Sequence, residues 1–272
     1  MTEKFNTRPI KAYKDSHFIN SSPARPLRIL SEYLAPMERF DLHGIKDTVV
    51  FFGSARIRSR AEAEEALDAA RKGGDDTAPA EHMLRMSEYY EATRTLSRRL
   101  TEWSMNLDNE KGRFVVASGG GPGLMEATNR GATEAGGESI GLGISLPFEQ
   151  SGNEYIPPDL NFEFHYFFMR KFWFAYLAKA FVVMPGGFGT LDEIMEILTL
   201  IQTHKMKKKV PIVLFGRAFW DRVVDFDALV EFGTISRPDL DLFVRTDSLD
   251  ETFDHITRGL LKYALEYPGG GM

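Results

Sequence analysis

The sequence predicts an α/β fold: a doubly wound, parallel β-sheet with helices on both faces, extended by an N-terminal arm and a helical insertion. Short runs of β-branched and aromatic residues alternate with stretches whose apolar residues recur at helical spacing. The runs are continuously apolar, as strands covered on both faces are. Two of them close in glycine-rich turns, Ser118-Gly119-Gly120-Gly121-Pro122-Gly123 and Pro185-Gly186-Gly187-Phe188-Gly189-Thr190, and each turn opens a helical pattern.

Taken in order, residues 1–46 form an arm of scattered proline and charge with one short amphipathic helix around Leu27, Leu30, Tyr33 and Leu34. The main domain, 47–272, opens on a first strand, Thr48-Val49-Val50-Phe51-Phe52, closed by Gly53-Ser54. Residues 59–110 read as a two-helix insertion broken at Gly73-Gly74-Asp75-Asp76, with Tyr89, Ala92, Leu96, Leu100 and Trp103 on a stripe that faces the protein's own core. A strand at 113–117 and a helix from Leu124 follow, then a strand at 139–144 and a loop carrying Pro147-Phe148-Glu149-Gln150. An aromatic-rich helix is expected at 166–179, a buried strand at 181–184, and a helix marked by Leu191, Ile194, Ile197, Leu198 and Ile201. A strand at 210–215 and amphipathic helices at 220–231 and 249–267 complete the pattern.

Composition removes whole classes of function. With 272 residues and 43% hydrophobic content the chain can bury a full core. A net charge of -6 opposes a role in coating nucleic acid, because few cations would displace counterions from a phosphate backbone. The absence of cysteine excludes disulfides, thiolate nucleophiles and cysteine-held metals. The N-terminal residues carry no apolar signal core, and Arg170, Lys171 and Lys179 interrupt the most apolar stretch, so a cytoplasmic protein without membrane partners is expected. No metal site is expected either, since His165 and His204 lack partners at ligand spacing, and no cofactor is implied.

The chemistry gathers at the turns. Gly119, Gly120, Gly121 and Gly123 let backbone approach an anion at a helix N-terminus, and phosphate suits that position. The spacing is neither a dinucleotide fingerprint nor a P-loop, which leaves a nicotinamide-dependent oxidoreductase poorly supported. Gly186, Gly187, Gly189 and Thr190 would suit a phosphate monoester in the same way. On spacing alone Thr190-x-x-Glu193 is a capping box, and Asp192 and Glu196 an ordinary acidic first turn. Arg170 and Lys171, set among Phe167, Phe168, Phe172 and Phe174, either aim cationic heads into a pocket or extend them to solvent. A cation such as Arg170 would allow Glu193 to stay beside a bound phosphate.

The segment Pro185-Gly186-Gly187-Phe188-Gly189-Thr190-Leu191-Asp192-Glu193, together with Met169-Arg170-Lys171, resembles the PGGxGTxxE and RK signatures of the LOG (Lonely Guy) family, cytokinin riboside 5′-monophosphate phosphoribohydrolases. Gly53-Ser54 and the Ser118 to Met125 segment match as well, so the resemblance covers roughly 48–233. Members have also carried the label possible lysine decarboxylase, but nothing here resembles a pyridoxal-phosphate lysine motif. The resemblance implies hydrolysis of the N-glycosidic bond of a nucleoside 5′-monophosphate, either an N6-modified AMP or a general salvage substrate. It implies Arg170 and Glu193 as catalytic residues. Substrate contacts would come from Gly53, Ser54, Gly119, Gly120, Gly121, Glu149, Lys171, Gly186, Gly187, Gly189, Thr190, Asp192 and Thr199. The arm and insertion resemble those of longer members and imply a homo-oligomer, a dimer or higher. A non-catalytic nucleotide sensor is the alternative from another class.

Overall fold

The computed structural model describes residues 9–107, 112–146 and 152–271. Two N-terminal helices, α1 (Ser16–Ile19) and α2 (Arg25–Leu42), precede β1 (Thr48–Phe52), α3 (Arg60–Gly73) and α4 (Ala78–Met105). Next come β2 (Val115–Ser118), α5 (Leu124–Glu134), β3 (Ser139–Ile144), β4 (Asn161–Phe164), α6 (Phe167–Tyr176), β5 (Ala178–Val183) and α7 (Phe188–Gln202). The chain continues through β6 (Ile212–Phe215), α8 (Arg217–Val223), α9 (Phe226–Glu231), β7 (Val244–Thr246) and α10 (Leu249–Tyr263). The strands form one sheet in the order β4-β3-β2-β1-β5-β6-β7, with every neighbouring pair parallel. The expected doubly wound, Rossmann-like α/β architecture is therefore present. Its order reverses direction between β1 and β5, where such sheets bind ligands above the strand ends.

Alternation along each central strand divides the core into two layers. Val50 and Phe52 of β1, Phe181 and Val183 of β5, and Ile212 and Leu214 of β6 face the helices α2, α6 and α7. Val49, Phe51, Val182, Val213 and Phe215 face α4, α5 and α10, so these strands have no solvent side to carry polar residues. The stripe read at 89–103 does face this second layer: Leu96 and Leu100 are fully buried there, with Tyr89, Ala92 and Trp103 packed at its edge. The stretch read as an insertion contains the β1-to-β2 crossover itself, because α4 packs along α5 and against β2.

Several boundaries differ from the sequence expectation for identifiable reasons. The helix expected at 166–179 stops at Tyr176, and Lys179 belongs to β5, where its ammonium lies 3.5 Å from the buried Asp47 and donates to the Tyr267 carbonyl. The helix expected at 220–231 is two, separated by an extended Val224 and by Asp225, whose carboxylate caps α9 by accepting from Ala228 N–H. The short arm helix is instead the 18-residue α2, which runs through Pro36. A proline normally breaks a helix by freeing the carbonyl four residues back. Here that carbonyl, on Glu32, accepts the Trp173 indole N–H at 2.9 Å, so the helix continues at little cost. Strands β4 and β7 were absent from the sequence reading, being four and three residues long at the sheet's two edges. Among the described residues no helix is long and apolar enough to cross a membrane.

Candidate active site

Three chain turns meet above the carboxyl ends of β1, β2 and β5. Ser54 ties them together: its N–H donates to the Pro185 carbonyl at 3.1 Å, and its carbonyl accepts from Leu124 N–H, the first residue of α5, at 3.0 Å. That close approach requires glycine at position 123, where φ is +70° and a Cβ would lie 2.6 Å from the Ser54 oxygen. The first glycine turn is also fixed from beneath. Asn129, fully buried on α5, accepts from the Ser118 hydroxyl at 2.8 Å and from the Asn153 amide at 2.9 Å. The Asn153 amide in turn donates to the Gly120 and Gly121 carbonyls. Neither asparagine was singled out from sequence, since nothing in local spacing distinguishes a buried network residue from a surface one.

These turns border a cavity of about 930 Å3, within the size range of small-molecule sites. Of the residues expected to form the site, Gly53, Ser54, Gly119, Gly120, Gly121, Arg170, Gly186, Gly187, Gly189, Thr190, Asp192 and Glu193 all line it. Glu149 lies outside the described residues. Thr199 is not brought to the cavity: it is exposed about three turns along α7, its hydroxyl donating back to the Met195 carbonyl. Lys171 does not line it either. The cavity further includes Arg56, Asn161 and Glu163, with Phe167 and Phe219 at its walls. Asn161 and Glu163 sit on the strand that sequence reading missed, although the alternation Asn161-Phe162-Glu163-Phe164 has the period of a half-buried strand.

The capping-box reading of Thr190 and Glu193 is corrected by the start of α7. The helix begins at Phe188 with Gly187 as its N-cap and no side-chain cap, so Thr190 and Glu193 lie inside it, one turn apart on the same face. Both are 7% exposed. The Thr190 hydroxyl packs against the bare Cα of Gly186, where any Cβ would collide with it. The first N–H groups of α7, which no helical carbonyl can reach, open toward the cavity rim and carry the positive end of the helix dipole. Nor are Asp192 and Glu196 a plain acidic first turn: Lys171 reaches both, at 2.8 and 2.6 Å.

Helix α6 supplies the cations that act on Glu193, and α2 fixes its position. The Glu32 carboxylate accepts from His165 and Tyr166 N–H at 2.8 and 3.2 Å, satisfying donors at the start of α6. From α6 the Arg170 guanidinium donates to the Leu142 carbonyl at 2.7 Å, stacks over the Phe174 ring at 5.2 Å, and lies beside Gly119, where a Cβ would come within 2.6 Å of it. Burial pushes the Glu193 carboxyl up to about 7, against the pull of Lys171 and then Arg170, with Asp192 and Glu196 adding to the rise. A carboxyl poised near neutrality inside a cavity is suited to proton transfer or to stabilising a developing cation. Among the described residues no cluster of three or more histidine or acidic side chains is placed to hold a metal.

A doubly wound sheet bears two glycine turns, a buried carboxylate and an arginine over one cavity, a ligand-site arrangement of the α/β class. The comparisons agree with the motif resemblance. A protein-family model described as possible lysine decarboxylase matches residues 125–256. The chain is 28% identical over 158 residues to a probable cytokinin riboside 5′-monophosphate phosphoribohydrolase of Oryza sativa subsp. japonica, covering 57% of this chain and 67% of that protein. A second protein of that name and organism is 32% identical over 133 residues, covering 47% and 52% respectively. The chain thus spans about half to two thirds of the length of these curated relatives. By these matches it is similar to the LOG phosphoribohydrolases, and the resemblance read from its motifs is borne out. Among solved structures, the Moco carrier protein of Chlamydomonas reinhardtii aligns over 79% of this chain and 99% of its own at 15% identity, with a TM-score of 0.44, too distant to bear on function.

Proposed function

We propose that the protein hydrolyses the N-glycosidic bond of a nucleoside 5′-monophosphate, releasing the free base and ribose 5-phosphate. The observation that carries this reading is Glu193, a buried carboxyl held near neutrality between two phosphate-suited turns and beside Arg170. The names of the relatives, probable cytokinin riboside 5′-monophosphate phosphoribohydrolases, support the same bond and the same substrate class.

In this reading the monophosphate sits on the first N–H groups of α7 with the Thr190 hydroxyl, which places the ribose over Glu193. The bond between the anomeric carbon and the base nitrogen breaks toward an oxocarbenium ion. The Glu193 carboxylate stabilises that charge and accepts a proton from the attacking water, whose oxygen joins the anomeric carbon; the departing base takes up a proton from solvent, and Glu193 returns its own to solvent, so the step consumes one water overall. Arg170, braced by Leu142 and Phe174, offsets the negative charge that phosphate brings near Glu193. Phosphate and ribose contacts serve an N6-modified AMP and an unmodified purine monophosphate equally.

Purified protein incubated with AMP, other monophosphates and N6-isopentenyl-AMP is expected to release base and ribose 5-phosphate in equal amounts, and Glu193→Ala to abolish the release. Relative rates assign a hormone precursor or a general salvage substrate. Binding without release would replace the hydrolase by a nucleotide sensor. The arm is further read as an oligomer contact: Leu27, Leu30, Leu34 and Met37 are exposed on α2 at the three-four-three spacing of a helix seam. Light scattering is expected to report a dimer or a larger homo-oligomer, and a monomer would refute that part.

A further inference from the structure

Arg170 and Lys171 are neighbours in sequence, but consecutive helical residues point about 100° apart, and here the two cations do different things. Arg170 turns toward β3 and the first glycine turn, lining the cavity. Lys171 turns toward α7, with its side chain 17% exposed and its ammonium 2.8 Å from Asp192 and 2.6 Å from Glu196. Those two acids are one turn apart on α7 and flank Glu193 in sequence. The groups that bear on Glu193 are therefore Lys171 and Arg170 from α6, and Asp192 and Glu196 from its own helix.

We propose that Lys171 is a positioning residue and not a substrate contact: by bridging Asp192 and Glu196 it fixes α7 against α6 and neutralises the acidic surroundings of Glu193. This rests on the hydrolase reading. Three like charges within two turns of one helix repel, and a single ammonium spanning two of them removes most of that repulsion. An ammonium held by two carboxylates is also poorly placed to leave them for a substrate phosphate.

The test is the pH dependence of kcat and KM for a nucleoside monophosphate in wild type, Lys171→Met, Lys171→Arg and Lys171→Met/Glu196→Gln. In the Met variant kcat at neutral pH is expected to fall about tenfold, KM to stay within about twofold of wild type, and the acid limb of the profile to move about one unit to higher pH, the size of one lost charge partner. Lys171→Arg retains the wild-type limb, and removing Glu196 along with the lysine brings the limb part of the way back. A rise in KM with the limb unmoved would make Lys171 a substrate contact and overturn the proposal, as would a profile unchanged in all variants. Should the Met variant fail to fold, Lys171→Gln keeps a donor without the charge and carries the same expectation. If wild type shows no turnover, the hydrolase reading fails by itself. The charge role is then read from the Glu193 carbon resonance, which titrates at higher pH in the Met variant if the proposal holds and at the wild-type pH if it does not.

Discussion

Asp47, beneath the amino ends of the central strands, and Glu193, above their carboxyl ends, are both buried carboxylates, 0% and 7% exposed. Burial pushes both carboxyls up, yet their surroundings differ in kind. Asp47 accepts directly from the Arg113 guanidinium and from Gly269 N–H at 3.0 Å, and Lys179 stands 3.5 Å away. Arg113 further donates to the Ala264 and Leu265 carbonyls, so the cluster ties the C-terminal residues under the sheet. Glu193 receives no hydrogen bond from any described residue: its nearest cations are engaged by Leu142, Asp192 and Glu196. One end of the sheet satisfies its buried charge completely, and the other leaves a carboxyl with its proton undecided near neutrality, which is useful for chemistry and poor for stability.

Substitutions at the two ends should therefore have opposite signatures. The largest effect is expected for Glu193→Gln, which keeps shape and volume: turnover should fall by about 100-fold to 10,000-fold, measured as base release from a fold verified by circular dichroism. Next, Asp47→Asn leaves Arg113 and Lys179 buried without their counter-charge and should cost about 3–5 kcal/mol in urea unfolding. If Asp47→Asn proved harmless, the closed cluster would not be what holds the C-terminal residues.

The contrast sharpens with pH. In the unfolded chain Glu193 ionises near its ordinary value of 4.5, and in the folded protein only near 7. As pH rises through this window the unfolded state loses a proton that the folded state retains, so stability falls and the penalty is complete above about pH 7. Glu193→Gln, with nothing to ionise, should thus be more stable than wild type by about 3 kcal/mol at pH 8.5, and equal to it near pH 4. Thermal unfolding at the two pH values checks this, and a difference independent of pH would contradict it. Smaller again, Asn129→Ala should cost about 1–3 kcal/mol through the donors and carbonyls it leaves unpaired, and raise KM by loosening the first glycine turn, as steady-state kinetics would show.

Sequence alone determined the layered α/β fold, because continuously apolar strands with helical stripes between them admit few other arrangements. It also determined both glycine turns, since bare backbone beside a helix start leaves a signature in residue type, whereas the linking of Arg170 with Glu193 came from the motif resemblance. Tertiary structure decided what depends on partners distant in the chain. The Trp173 indole lets α2 pass Pro36, and Lys179, in a strand, meets the buried Asp47. Gly187 starts α7 early enough to convert a capping glutamate into a buried acid, and Lys171 turns from the cavity to the acids beside it. Local spacing records which conformations a segment permits, whereas the charge, burial and hydrogen-bond partners that give a side chain its chemistry arrive from residues tens or hundreds of positions away.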